Sequence, residues 1–354
     1  MALHTFIASI LREAGTPEDI AEEVARHLVG ANLAGHDSHG LQRLAQYIAQ
    51  VDARTLNPQG RATILKESAV LAVFDAERGF AHHAVTQALE WALAKAEATG
   101  IAGVAVRHAN HVGRLGDYTE RAAGRGFAAL LTLGIAGAGS GLAAPFGGAT
   151  RFLGTNPWSI GLPIAGHEPF VMDFATTTVA EGKVRVALAS GKQVPAGALL
   201  DTEGMPTRDP ARLYEQGSLT LLGGTVAGHK GYGLSLAAAL LGALAMIGDE
   251  APTAAGTMAG PPSSPVFAAG VLLIVIDPQW FGGRDSYAEL AAAIAEQAHG
   301  IDPAPGFDRV LVPGEPEVLK RAQRARDGIA IPAATWRDLE ALGQRFGVAL
   351  PGAS

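Results

Sequence analysis

The chain has 354 residues, 48% hydrophobic and 17% charged, which provides for about two domains with a substantial core and excludes a disordered segment. Its formal charge is −7 and its basic residues are scattered, apart from Lys320, Arg321, Arg324 and Arg326, so nucleic acid is not an expected partner. There is no cysteine, which rules out disulfides, thiolate nucleophiles and thiolate metal sites and agrees with a reducing, cytoplasmic location.

At the N-terminus Leu3, Phe6, Ile7, Ile10 and Leu11 recur at helical spacing with Arg12 and Glu13 close behind, a pattern for an amphipathic helix and not a signal peptide. Thr16-Pro17 reads as an N-cap followed by proline at the first helical position, and Ile20, Val24 and Leu28 mark the buried stripe of a second helix. Next comes His36-Asp37-Ser38-His39-Gly40-Leu41-Gln42-Arg43. If a helix begins at Ser38, His39 and Arg43 lie one turn apart on one face. Imidazole exchanges a proton near neutrality and guanidinium offers a fork to a carboxylate, so the pair can act on one small anion. The plain alternative is a helix end capped by Ser38 with two ordinary surface side chains.

From about Ser68 the pattern becomes mixed. Apolar runs at Ala69 to Phe74, Ala102 to Val106, Phe127 to Leu133, Phe170 to Met172 and Val271 to Ile276 read as strands between Ala-rich helices and glycine turns. Polar motifs lie near their ends: His108-Ala109-Asn110-His111-Val112-Gly113-Arg114-Leu115-Gly116, Gly154-Thr155-Asn156-Pro157-Trp158, and Asp173-Phe174-Ala175-Thr176-Thr177-Thr178 ahead of Gly182-Lys183. A turn or a cap explains any one of them as well as a site does. Gly137-Ala138-Gly139-Ser140-Gly141-Leu142 mimics a dinucleotide-binding glycine loop, but Leu142 stands where the third glycine belongs and Pro145 blocks a continuing helix. No Rossmann domain is therefore expected. Residues 231–248 carry no charge and approach membrane-span length, yet their small residues and the following Asp249-Glu250 predict a buried helix of a soluble core, with no membrane partner. The chain end is helical again, with Thr335 and Asp338 suiting a capping box before Leu339, Leu342 and Phe346.

Taken in order, Ser38-His39-Gly40, His111-Val112-Gly113-Arg114, Ala144-Pro145-Phe146-Gly147-Gly148, Gly154-Thr155-Asn156-Pro157, Asp173 with Gly182-Lys183-Val184, His229-Lys230-Gly231-Tyr232-Gly233 and Pro313-Gly314-Glu315 resemble the motifs of one family. It is the malate/L-lactate dehydrogenase family, a non-Rossmann group that includes ureidoglycolate, sulfolactate and other 2-hydroxycarboxylate dehydrogenases and an imino-acid reductase. The resemblance implies a three-layer α/β fold with a mixed sheet, L-sulfolactate dehydrogenase-like, flanked by a helical domain built from both chain termini. The helical domain would take residues 1–68 and 300–354, and the cofactor and substrate α/β domain 69–299. A homodimer with its active site near the subunit boundary is implied as well. The implied chemistry is hydride transfer between NAD or NADP and C2 of a 2-hydroxy or 2-oxo acid.

By the same resemblance His39, oriented by Ser38, is the acid/base, with His111 as the other candidate. Arg43 grips the substrate carboxylate, and Thr155 and Lys183 stand on the substrate side. Cofactor contacts fall on His111, Gly113, Arg114, Leu115, Asp173, Phe174, Ala175, Thr176, Lys230, Pro313, Gly314 and Glu315. At Lys183 the imino-acid reductase branch carries an aspartate, which argues here for an oxo acid over a cyclic imine. Ile135 stands where many members have Asn or Ser, which leaves a backbone contact there. A different reading takes His36 with His39 and His108 with His111 as two His-x-x-His metal pairs of a hydrolase or lyase. No acidic ligand pattern accompanies them, so no metal is expected.

Overall fold

The computed structural model describes residues 2–246 and 267–352. In chain order, α1 (Ala2–Glu13), α2 (Glu18–Leu33) and α3 (Arg43–Asp52) precede β1 (Thr63–Glu67) and β2 (Leu71–Asp75). Helix α4 (Ala81–Thr99) leads to β3 (Ile101–Arg107), and α5 (Gly116–Ala123) to β4 (Ala128–Ala136), β5 (Trp158–Leu162) and β6 (Phe170–Phe174). After α6 (Glu181–Ala189) come β7 (Leu199–Leu200), β8 (Pro206–Thr207), α7 (Ala211–Tyr214) and β9 (Ser218–Leu219), then α8 (Gly224–Gly242) and β10 (Phe267–Ile276). The remaining helices are α9 (Arg284–His299), α10 (Glu315–Asp327) and α11 (Ala333–Phe346).

The main sheet has 7 strands in the order β1-β2-β3-β10-β4-β5-β6. Only β2 and β3 run parallel, and α4 makes the crossover that a parallel pair requires. The apolar run from Val271 lies between β3 and β4, antiparallel to both, where a strand buried on two faces belongs. One face of the sheet packs Ala129, Leu131 and Leu273 against Leu89 of α4 and Tyr118 of α5. The other face meets α8, which comes so close at Gly134 that a Cβ there would stand 2.3 Å from the Ala239 nitrogen. Helices on both faces of a mixed sheet make the three expected layers. The glycine-rich stretch after β4 is a turn, not a helix: Gly137 N–H bonds the Phe152 carbonyl and Leu142 N–H bonds the Leu153 carbonyl.

Phe6, Ile10, Leu28, Tyr47, Phe80 and Leu339 belong to a second apolar cluster, which joins α1, α2, α3 and α11. Two expected caps shift by a residue or more. Pro17 occupies the capping position of α2, its carbonyl bonds Ala21 N–H at 2.9 Å, and the Thr16 hydroxyl has no partner among the described residues. Pro332 likewise precedes α11, which places Thr335 third in the helix, where it caps nothing. A proline locked near the φ of a first turn suits the start of a helix, and here it displaces the hydroxyl residue from the cap. The uncharged segment 231–248 is half-buried, not enclosed. Ser235, Ala238 and Ala239 face the sheet while Leu234, Leu240 and Leu244 are exposed, and residues 247–248 lie outside the described residues. No helix among the described residues is long and apolar enough to cross a membrane.

Candidate active site

The histidine-bearing segment does not form one helix. Asp37–His39 is a single 3₁₀ turn, Gly40 leaves helical geometry at ψ −145, and α3 starts afresh at Arg43. The cause is Asn32 at the end of α2. Its carbonyl oxygen accepts Leu41 N–H at 2.7 Å, taking the donor that a helix continuing from Asp37 would need, and its amide bonds Asp37 at 2.6 Å. Asn32 packs so tightly that a Cβ on residue 40 would fall 2.0 Å from its oxygen, so glycine is required there. The expected one-turn spacing of His39 and Arg43 on a helix starting at Ser38 is thus replaced by a turn folded back on α3. Arg43 Nε closes that fold by donating to the Ser38 carbonyl at 2.7 Å.

The same four side chains still converge. Ser38 Oγ and His39 Nδ1 are 2.9 Å apart, and the His39 ring stacks on His111 with centroids 5.4 Å apart. Arg43 spends Nη1 on Gln46 at 2.6 Å, and no carboxylate lies within ion-pairing distance of it among the described residues. His39 keeps part of its ring open. Desolvation of the rest, then the Arg43 cation, with smaller repulsions from His36, His27 and Arg114, pushes its pKa down to about 3. The imidazole is therefore neutral near neutral pH, the form a base requires, while the same causes weaken it as a proton acceptor. Burial, then Arg43, also holds His111 well below the usual histidine range. Helix α6 borders the group: a Cβ on Gly182 would lie 3.9 Å from Ser38 Cβ, and Glu181 and Arg185 act electrostatically on Arg43. Lys183 is exposed in the first turn of that helix.

The remaining candidates form a band across the ends of β4, β5 and β6. The Thr155 carbonyl accepts both Thr176 N–H at 2.9 Å and Thr176 Oγ1 at 3.0 Å. Asn156, at φ +36, bonds Ile135 N–H and the carbonyls of Ile135 and Ser235, so it staples this turn to β4 and α8. The Ile135 N–H is taken by Asn156, and its carbonyl by Asn156 and by Gly154 N–H at 3.2 Å. Asp173 is half-buried and accepts Gly116 N–H at 2.7 Å; desolvation raises its carboxyl above the usual range despite that bond and the Arg114 cation. Pro313 accepts Val171 N–H at 3.0 Å, and Gly314, at φ +104, lies against Pro169 and Val171 of the β6 edge. Glu315 bonds Val312 N–H and pairs with His299. Phe174 sits in the β5–β6 pairing beside Trp158, with Ala175 directly after it. Leu115 is 3% exposed and spent on the core, and no hydrogen bond or ion pair ties Lys183 or Lys230 to the histidines among the described residues.

The donor set suits a dinucleotide. Lys230 stands exposed on α8 with no carboxylate partner among the described residues, and the buried Arg114 keeps its Nε without a partner. Arg114 Nη2 and Asp173 Oδ2 each lie 3.0 Å from where a Gly116 Cβ would project. Arg114, paired with Glu120 through Nη1 at 3.1 Å, stands at the start of α5, where a cation and backbone N–H groups fit phosphate oxygens. The two His-x-x-His pairs, in contrast, open in different directions. His36 reaches Glu317 at 3.1 Å and His108 reaches Asp75 at 2.9 Å, and no three potential ligands gather around one point among the described residues. Tyr47, His82 and His27, which back the site, were not read from the sequence. Tyr47 carried a usable signal, since it stands one helical turn after Arg43.

Comparisons with known proteins agree on one relationship. The family model for malate/L-lactate dehydrogenase matches residues 1–340. An L-lactate dehydrogenase of Cupriavidus necator is 36% identical over 97% of this chain and 96% of its own length. A Delta(1)-pyrroline-2-carboxylate reductase of Ancylobacter novellus is 33% identical over 97% of this chain and 96% of its own. The structure of sulfolactate dehydrogenase from Methanocaldococcus jannaschii superposes with a TM-score of 0.86 at 32% identity, covering 99% of this chain and 97% of the other. The chain belongs to the malate/L-lactate dehydrogenase family.

Proposed function

We propose that this protein is an NAD(P)-dependent 2-hydroxycarboxylate dehydrogenase, interconverting a 2-hydroxy acid and its 2-oxo acid. The observation that carries the reading is the convergence of Ser38, His39 and Arg43 beside His111. NAD or NADP, when bound, supplies or accepts the hydride at C2. Lys230, Arg114, Gly113, Asp173 to Thr176, and Pro313 to Glu315 would hold it, with Leu115 offering backbone alone. Arg43 grips the carboxylate through its free guanidinium edge, while Thr155 and Lys183 border the substrate. In oxidation, neutral His39 takes the hydroxyl proton, and in reduction its imidazolium returns a proton to the oxygen on which charge develops. Ser38, bonded to Nδ1, holds the ring so that Nε2 does this work.

The helical unit of residues 1–68 and 300–354, less the strand β1 that pairs with β2 in the main sheet, would frame one side of the site, and the α/β unit of 69–299 with β1 the other. A homodimer is the proposed assembly. Val226, Leu240, Leu290 and Ile294 are between 62% and 90% exposed on α8 and α9 and are apolar side chains that a second subunit would cover. A cytoplasmic location belongs to the same reading.

The direct test is a panel of 2-oxo acids with NADH and with NADPH, read at the nicotinamide absorbance. Turnover of at least one oxo acid is expected, unchanged by EDTA. Activity lost to EDTA and restored by zinc or manganese would assign the site to metal chemistry instead.

The low pKa of His39 predicts unusual pH profiles. Oxidation needs the neutral ring, which persists far below its ordinary value of 6.5, so kcat/KM for the hydroxy acid should stay level from about pH 8 to pH 5. Reduction needs the imidazolium, whose population grows about tenfold for each unit of pH lowered in that window, and its kcat/KM should climb accordingly. An inflection near 6.5 in both profiles would contradict the lowered pKa of His39.

A further inference from the structure

We infer that Tyr47 is a positioning residue whose phenol fixes the His111 proton on Nε2, making His111 a hydrogen-bond donor in the site and leaving the base role to His39. The inference rests on the reading above only for the task it gives each histidine. Tyr47 is 1% exposed on α3, one turn from Arg43, and its ring is seated edge-on against Phe80. Its oxygen lies 2.7 Å from His111 Nδ1 and 3.3 Å from His82 Nε2. A phenol has one proton, so it donates to one ring and accepts from the other.

His82 decides which. It is fully buried at the start of α4, and its Nδ1 has no partner among the described residues. A proton on Nδ1 would be an orphaned buried N–H, rarer and costlier than a bare acceptor lone pair. The His82 proton therefore resides on Nε2 and is given to the Tyr47 oxygen. Tyr47 O–H then donates to His111 Nδ1, consistent with the shorter of its two distances. Neutral His111 is left with its proton on Nε2, the nitrogen turned away from Tyr47, and that nitrogen cannot act as a base.

Neighbouring contacts hold the relay in place. His27 Nε2 accepts Arg114 N–H at 2.8 Å, which puts its own proton on Nδ1; that nitrogen makes no hydrogen bond among the described residues but, unlike His82 Nδ1, has a carboxylate, Asp117, at 3.5 Å. The His27 and His82 rings meet edge to face at 4.6 Å. Gly113, at φ +81, makes room for both, because a Cβ there would lie 2.2 Å from His27 Nε2 and 2.9 Å from His82 Nε2. Gly113 thus serves the buried rings whatever else it touches.

The test is the tautomer of His111, read in the full-length protein labelled with ¹⁵N-histidine by long-range ¹H–¹⁵N correlation and assigned through its loss in His111→Asn. The expected wild-type spectrum shows an unprotonated Nδ1 and a protonated Nε2 near neutral pH. A protonated Nδ1 overturns the inference, and this measurement requires no folded Tyr47 variant. In Tyr47→Phe, which keeps the ring packing, His111 should become a mixture of tautomers. There kcat for oxo-acid reduction should fall about five- to tenfold, the scale of one neutral hydrogen bond, with KM within about twofold. Unchanged tautomer and unchanged kcat in that variant would also overturn it. A wild-type spectrum with Nε2 protonated, in a protein that reduces no oxo acid, supports the tautomer assignment and defeats the proposed activity instead.

Discussion

His39→Ala is expected to lower kcat for 2-oxo acid reduction about 10²- to 10⁴-fold, the usual cost of deleting a general acid. Hydride addition to a carbonyl carbon leaves charge on oxygen, and without a proton donor that charge must wait for water. His39 has one nitrogen held by Ser38 Oγ at 2.9 Å and a neighbouring cation, Arg43, folded back over the same turn. Among the described residues its ring stacks on His111 alone, so truncation should spare the fold. Cofactor affinity, followed by nicotinamide fluorescence titration, should change only modestly because the proposed cofactor residues lie at the starts of α5 and α10 and along β6 and α8. Normal turnover in His39→Ala would transfer the acid/base role to His111 and would also unseat the donor role inferred for that ring.

Why some of this was legible in the sequence and some was not comes down to the range of the interactions involved. The runs at Ala102, Phe127 and Val271 announce β3, β4 and β10 because central strands are apolar on both faces, a property of the segment itself. β1 gives no such sign: Thr63–Glu67 is exposed along its whole length and is a strand only because β2 supplies hydrogen bonds. β5 alternates between half-buried and buried over five residues and was absorbed into the Gly154 turn. Site residues were visible where chemistry and spacing are local, as for Ser38, His39 and Arg43. The break at Gly40 was not, because it depends on the side chain of Asn32 arriving from another helix. Tyr47 and His82 were missed for the same reason. An aromatic residue and a histidine on helices read as ordinary core until the fold brings both within reach of His111.

Arg43→Lys should raise KM for 2-oxo acids so that kcat/KM falls about 10- to 100-fold, with a smaller change in kcat; the scale is that of a charge-assisted hydrogen bond, about 1.5–3 kcal/mol. A lysine keeps the charge, so the substitution isolates geometry: a point ammonium cannot present two parallel N–H groups to a carboxylate. Arg43 also organises its own surroundings. Nε holds the Ser38 carbonyl at 2.7 Å and Nη1 holds Gln46 at 2.6 Å, which fixes the plane of the guanidinium and leaves Nη2 without a hydrogen bond among the described residues. Burial and Arg185 both disfavour this cation, and no carboxylate of the described residues pairs with it, so an incoming carboxylate meets a poorly compensated charge. That arrangement favours a monoanionic group at this position over a neutral one. The deciding measurement is the preference for each 2-oxo acid over its amide, taken as the ratio of kcat/KM values in both proteins. The ratio should collapse in Arg43→Lys; a preference preserved at the wild-type level, with unchanged KM, would place the carboxylate on another residue.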